Sequence, residues 1–199
     1  MAANKNLDYL GFRQSPGDEE ARKFDSVVHA VTTIGENHRM IHDGFMFHAY
    51  HKHNGLERNG IARFLFDVPA NTAVHLSKLR THASGGDITL TLCEGPTVTD
   101  NGTEITAYNP NRVSSNTPDM DVYDGPTVTV AGDDLLSHWL PPAGVGNGDS
   151  SHIVTDESEE WILWGGASGQ QYCWSITNHG STSIDIWQEV YWYEVGYTT

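Results

Sequence analysis

The sequence lacks the features typical of disulfide-rich, membrane-spanning and secreted proteins. It has two cysteines, no run of lysine or arginine, and no stretch near the ~18 apolar residues of a membrane span. Its first residues carry no apolar segment of the kind found in secretory signals. We therefore expect a protein with no membrane partner that folds in a cytoplasm, where Cys93 and Cys173 stay reduced. The alternative is a single disulfide, if the strands that carry these two cysteines are neighbours.

Basic residues are also scarce. The chain has 26 Asp and Glu against 11 Lys and Arg, a net charge of −15 and a pI near 4.9. Each contact with a nucleic-acid phosphate needs a cation, and a strongly negative surface repels the phosphate backbone before contact. The composition therefore predicts no nucleic-acid partner.

Motifs for nucleophilic or nucleotide chemistry are missing. The sequence has no Gly-x-Ser-x-Gly, no Gly-x-x-x-x-Gly-Lys and no Cys-x-x-Cys. The acidic clusters at residues 18–20 and 156–160 do not follow a calcium-loop pattern. We therefore predict a non-enzymatic protein with no catalytic residues and no cofactor.

Most apolar segments from Val27 onward alternate with a period of two. Phe64, Phe66 and Val68 share one face of such a segment, and the same pattern recurs at residues 88–93, 172–177 and 184–192. This alternation is typical of antiparallel strands with one face on a core. Glycine-rich turns separate the segments. The pattern predicts an all-β fold, an antiparallel β-sandwich that is most simply a jelly roll.

The chain divides into two parts on composition. Residues 1–26 are polar and of mixed charge, and Pro16 followed by acidic residues 18–20 predicts a brief helix in this N-terminal arm. Residues 27–199 form the predicted single sandwich domain. Within it the segment Gly-Pro-Thr-Val-Thr occurs twice, at 95–99 and 125–129, and we interpret both copies as strand starts.

Histidines are concentrated early in the predicted domain, as His38, His42, His48, His51 and His53. Imidazole is the commonest metal ligand, and the last two would share one strand face, as in a cupin-like metal site on a jelly roll. Their spacing fits no established metal motif, and no carboxylate stands at the expected interval beside them. We therefore predict no metal ligands, and a cupin-like metalloenzyme is the least favoured function.

Aromatic residues crowd the C-terminal third. Trp187, Tyr191 and Tyr193 fall on the strand face opposite to that of Ile184 and Ile186, so both faces of the last strand are apolar. We therefore expect the outward face to pack on another segment or subunit, and these three aromatics are the candidate interface with another subunit or with a capsid. The alternative is a platform on which sugars stack.

Several segments, taken in order, resemble the virion structural proteins of tailed bacteriophages. They include residues 38–45, the strand at 61–68, 92–99 (LCEGPTVT), the second GPTVT at 125–129, and the closing WYE at 192–194. Further similar segments lie at 101–103, 108–112, 114–117, 160–163 and 172–178. The resemblance spans most of the chain from residue 35 onward.

The resemblance implies a jelly-roll-like protein that decorates or cements the outside of the phage head, with no catalytic residues. The expected partners are the major capsid protein lattice, further copies of the chain, and a head fibre. Shell symmetry predicts a trimer or a dimer on a symmetry axis, and of the two we favour the trimer. The expected location is the outer capsid surface, away from the genome, after assembly in the bacterial cytoplasm. The alternative is a module that binds host glycans, or one associated with a head fibre or tail. It would act through Trp187, Tyr191 and Tyr193 or through the loops at 109–123 and 141–158.

Overall fold

The computed structural model describes residues 22–24, 31–33, 35–85, 87–141, 150–153 and 160–196. The chain falls into two compact units, residues 1–39 and 40–199. The first contains strands β1 (Arg22–Phe24) and β2 (Val31–Thr33), which pair antiparallel. Both the helix predicted after Pro16 and the boundary predicted after residue 26 fall outside the described residues.

The chain from Glu36 onward contains one short helix and thirteen strands among the described residues. They are α1 (Glu36–Asp43), β3 (Met46–Leu56), β4 (Ile61–Val68), β5 (Thr72–Ala83), β6 (Ile88–Glu94), β7 (Thr97–Asp100), β8 (Thr103–Glu104), β9 (Asp121–Asp124), β10 (Thr127–Val130), β11 (Asp133–Leu140), β12 (Ser150–Ile153), β13 (Trp161–Trp164), β14 (Gln170–Asn178) and β15 (Ile184–Gly196). In the described part of the chain no helix has the length and apolar character that crossing a membrane requires.

Two antiparallel sheets contain most of these strands. Sheet I has the order β12-β5-β15-β3, and β13 also pairs with β5. Sheet II has the order β11-β6-β14-β4-β9-β8. Strands β7 and β10 form a separate two-stranded ribbon.

The core lies between sheets I and II. Its largest fully buried side chains include Phe47 and Trp192 from sheet I and Phe64 and Trp174 from sheet II. Each stands at alternate positions of its strand with other buried apolar residues, as the period of two predicts. The prediction of an all-β antiparallel sandwich is confirmed.

The two Gly-Pro-Thr-Val-Thr segments pair with each other. They form β7 and β10, with Val98 opposite Val128. Both valines pack on a small cluster on the outward side of sheet II that contains Leu65, Cys93 and Cys173. The two cysteines are directly opposite each other on β6 and β14, and they are buried free thiols.

Candidate functional site

The outward side of sheet I carries rings in register across β3 and β15. Backbone pairing places His48 opposite Tyr191 and Lys52 opposite Trp187. The His48 and Tyr191 rings stack with centroids 4.2 Å apart, and Lys52 Nζ lies 4.9 Å from the centroid of the Trp187 ring. Tyr50 stands between them on β3 and stacks on His48. We call the surface formed by His48, Tyr50, Tyr108, Trp187 and Tyr191 the aromatic face.

Large parts of these rings are in contact with solvent. Tyr50 and Trp187 are 48% and 44% exposed, and Tyr108 is exposed to a similar degree. Burial lowers the pKa of His48, an effect that Glu189 opposes, and burial raises the pKa of Tyr191. Both of these rings are therefore uncharged at neutral pH, so the aromatic face presents neutral rings rather than charges.

The three aromatics predicted as an interface have different environments. Trp187 and Tyr191 belong to the aromatic face. Tyr193 is only 5% exposed because Met40 of α1 and Met46 of β3 pack on it. Tyr193 therefore offers little surface to another subunit, and part of the outward side of β15 is covered by the chain itself.

Tyr50 and Tyr108 are members of the aromatic face that the sequence analysis missed. The alternation along β3 contains the signal for Tyr50, since it lies two residues from His48 on the same side of the strand. Tyr108 lies outside the longer strands, in an isolated bridge in which its backbone N–H and C=O bond those of His48 at 2.7 and 2.8 Å. No local pattern around Tyr108 predicts that bridge.

The loop after Tyr108 is anchored on the end of α1. Asn109 and Asn116 each donate a side-chain hydrogen bond to the Gly44 carbonyl, at 2.7 and 3.1 Å, and Asn111 donates one to the His42 carbonyl at 2.9 Å. Carbonyls at a helix C-terminus lack partners within the helix, so these amides complete their hydrogen bonding. The anchored loop forms one wall of a groove lined by aromatic-face rings together with Asn109 and Arg112.

A second cluster of polar side chains lies between the sheets. His51 Nε2 is 3.4 Å from Asp124 Oδ2, and His53 Nε2 is 3.3 Å from Asp124 Oδ1. His53 Nε2 also lies 3.0 Å from Oε1 of Gln188, which is fully buried on β15. Burial lowers the pKa of His53, although the Asp124 carboxylate opposes this effect. We call His51, His53 and Asp124 the histidine–aspartate cluster.

The carboxylate of this cluster could not be located from the sequence. The expected interval beside the two histidines holds no acidic residue, and Asp124 reaches them from β9, a strand of the other sheet. The only local signal is that Asp124 directly precedes the second Gly-Pro-Thr-Val-Thr segment, as Glu94 precedes the first.

Comparisons with known proteins do not narrow the class further. No family model, curated protein or solved structure matches the chain. The fold therefore defines the class, an antiparallel all-β sandwich protein, and function must be argued from the aromatic face and the histidine–aspartate cluster.

Proposed function

We propose that this chain is a non-enzymatic structural protein of a tailed-phage virion, which binds the outer surface of the capsid lattice and stabilises the head. The observation that carries the proposal is the aromatic face. A sheet whose outward side faces only water carries polar side chains there, whereas β3 and β15 present tyrosine, tryptophan and histidine. Tyrosine and tryptophan are enriched at protein interfaces and among the residues that dominate their binding energy.

The rim of the aromatic face carries charged side chains that support binding of a protein partner. The chain is strongly acidic, yet Lys52 stands beside Trp187, and Lys78 is paired opposite Tyr191 on β5. Arg80 lies on the same side of β5, with its guanidinium 3.4 Å from Glu189. Complementary charge at the rim of an apolar patch steers partners into register. Lys52 Nζ also lies 3.1 Å from Asp185 Oδ2, so two of these three cations are paired with carboxylates and the rim presents charges of both signs to a partner.

Strand pairing supports a jelly roll, the fold of many viral capsid domains. In a jelly roll a long antiparallel hairpin is wound into two sheets, so that the first strand pairs with the last and pairing continues inward along the chain. Here β3 pairs with β15, β4 with β14, β5 with β12 and β13, and β6 with β11. These pairs alternate between sheet I and sheet II. We infer a jelly roll with β7 to β10 inserted between β6 and β11.

The test is binding of the purified protein to mature phage shells. We expect saturable binding that raises the rupture temperature of the shells, because a ligand that prefers the assembled lattice stabilises it. Trp187→Ala should weaken binding about tenfold or more, as for a central interface tryptophan. Trp139→Ala is the matched control, since Trp139 is 58% exposed on β11 in the other sheet. Shells that bind no protein, or equal losses in the two variants, would contradict the proposal.

A host-glycan-binding module is the second candidate, favoured by the groove beside the anchored loop. Tyr50, Tyr108 and Tyr191 line it, and the rings of Tyr50 and Tyr108 are stacked with centroids 6.3 Å apart. Exposed aromatic rings beside the Arg112 guanidinium suit a sugar, which has apolar faces and hydroxyl edges. This proposal would replace the first if the protein does not bind phage shells and gives reproducible glycan-array hits that disappear in Tyr108→Ala.

A further inference from the structure

We propose that His51, His53 and Asp124 bind a divalent transition-metal ion at the end of the sandwich interior. Their ligand atoms, one from each side chain, all lie within 4.8 Å of one another. None of the three ligands belongs to the aromatic face, although Tyr50 and Tyr108 of that face line the adjoining groove, and the inference does not rest on the proposed function.

The strand pattern turns all three side chains toward the interior. His51 and His53 continue the side of β3 that buries Phe47 and Ala49. Asp124 lies two residues after buried Val122 on β9 and therefore points the same way as that valine. Two imidazoles from sheet I thus meet one carboxylate from sheet II, so the two sheets hold the ligands from opposite sides.

The cluster is enclosed on one side and open on the other. The side chains of His53, Asp124 and His51 are 15%, 21% and 43% exposed, respectively. His51 and Asp124 also line a groove together with Tyr50, Glu104 and Tyr108, which gives an ion a path from solvent. Such partial enclosure is expected of a metal site that keeps one coordination position accessible.

The separations within the cluster are close to those between the ligands of one ion. Ligand atoms about 2.1 Å from an ion with tetrahedral angles lie about 3.4 Å from each other. His51 Nε2 lies 3.4 Å from Asp124 Oδ2 and His53 Nε2 lies 3.3 Å from Oδ1, so each imidazole is near a different oxygen of the carboxylate. Two histidines with one carboxylate are the ligand set of several zinc and non-haem iron sites. The Gln188 amide oxygen lies 3.0 Å from His53 Nε2, a contact that coordination of an ion by this nitrogen would replace.

The Asp124 carboxylate supports this reading against a purely structural hydrogen-bonded cluster. Its Oδ1 is buried and accepts no hydrogen bond of good geometry from any described residue, although His53 Nε2 lies 3.3 Å away. A buried carboxylate oxygen without a well-aligned hydrogen bond is costly, and a bound cation removes that cost. The net charge of −15 also raises the concentration of cations near the surface.

The test measures metal uptake by the full chain after treatment with a chelator. Zn²⁺ and Co²⁺ are added separately, binding is followed by calorimetry, and the visible spectrum of Co²⁺ reports its coordination. We expect one equivalent of each metal, a d–d spectrum altered from that of aqueous Co²⁺, and a melting temperature that rises with added metal.

Matched carboxylate variants locate the ion. Asp124→Asn removes a ligand and should weaken binding by about 100-fold or more, beyond the effect of losing an outer-shell partner. Glu94→Gln is the control, because Glu94 occupies the equivalent position before the first Gly-Pro-Thr-Val-Thr segment and bonds Tyr172 instead of histidines. We expect Glu94→Gln to bind metal like the wild type.

Two outcomes would overturn the proposal. One is failure of the wild-type chain to take up a stoichiometric amount of metal, and the other is equal metal uptake by a folded Asp124→Asn protein. If Asp124→Asn does not fold, as judged by circular dichroism, His51→Ala replaces it, since His51 is the most exposed of the three ligands. Unchanged uptake in folded His51→Ala would then overturn the site as assigned.

Discussion

His48 shows how burial controls a single ionisable side chain on the aromatic face. Burial lowers its pKa below the ordinary 6.5, so the unfolded chain takes up a proton more readily than the folded chain. The stabilisation contributed by neutral His48 is therefore complete above pH 6.5 and is lost as the pH falls through 6.5 toward the lowered pKa. We expect His48→Phe to lose less unfolding free energy than the wild type between about pH 7.5 and about pH 5.5.

Urea denaturation at the two pH values measures this difference. Phenylalanine keeps a ring to stack on Tyr191, so the substitution mainly removes the titrating group. His179→Phe is the control, because it removes a histidine away from the aromatic face, at an exposed ring whose Nε2 lies 3.0 Å from the Thr89 hydroxyl. Identical pH dependence in His48→Phe and wild type would show that His48 does not contribute.

Tyr172 tests the cost of removing one buried hydroxyl. Its oxygen lies 2.9 Å from Glu94 Oε1 and accepts a hydrogen bond from the Trp164 backbone amide at 3.1 Å, and burial raises its pKa to about 12. Tyr172→Phe leaves both partners without this hydroxyl and should reduce the unfolding free energy by about 1–3 kcal/mol. Tyr123→Phe, whose hydroxyl contacts Asp121 at 3.5 Å in an exposed position, should cost less. Denaturant unfolding of both variants measures the two losses of unfolding free energy. Equal losses would contradict the role assigned to the Tyr172 hydroxyl.

At the scale of elements, the two Gly-Pro-Thr-Val-Thr segments form a local structure with approximate two-fold symmetry. The Thr99 hydroxyl donates to the Thr127 carbonyl, and the Thr129 hydroxyl donates to the Thr97 carbonyl. The glycines that follow are equivalent as well. Gly102 packs against the Asp124 carbonyl, and Gly132 packs against the Glu94 carbonyl. The glycine that follows each segment thus packs on the residue that precedes the other segment.

Substitution of Gly132 tests this close approach. Its φ is +87°, and an added Cβ would overlap the Glu94 carbonyl oxygen, so Gly132→Ala should cost more than about 2 kcal/mol of unfolding free energy. Gly125→Ala is the control, because Gly125 has a φ of +67° but open space around its Cβ position. We expect a cost of about 1 kcal/mol there, from backbone conformation alone. Thermal or denaturant unfolding compares the two, and a Gly132→Ala protein as stable as Gly125→Ala would refute the packing argument.

Prediction of elements succeeded where the local pattern is strong. Strands β4, β6, β14 and β15 follow from the alternation of apolar residues, which depends only on successive side chains pointing to opposite faces. The condition that Cys93 and Cys173 face each other on neighbouring strands is also met. Helix α1 was not predicted, because eight residues provide too few turns for a clear helical period.

For the whole molecule, the excess of negative charge should be measurable in its stability. Like charges repel more in the compact state than in the expanded chain, and salt screens this repulsion within about 10 Å at 0.1 M. With a net charge of −15, we expect the melting temperature to rise as NaCl increases from low ionic strength to about 0.2 M. Calorimetry or circular dichroism measures it, with KCl as a control for ion-specific effects. A melting temperature that falls with both salts would show that favourable ion pairs outweigh the repulsion.

The sequence by itself determined the fold class, since alternation and charge are properties of neighbouring residues and of total composition. Only the tertiary structure decided which distant side chains meet. Glu94 and Asp124 precede the same five-residue segment, yet Glu94 bonds Tyr172 of β14 while Asp124 faces His51 and His53 of β3. Tyr193 is likewise buried by Met40 and Met46. These partners depend on strand order and on packing between elements that are far apart in the chain, and no local period encodes either of them.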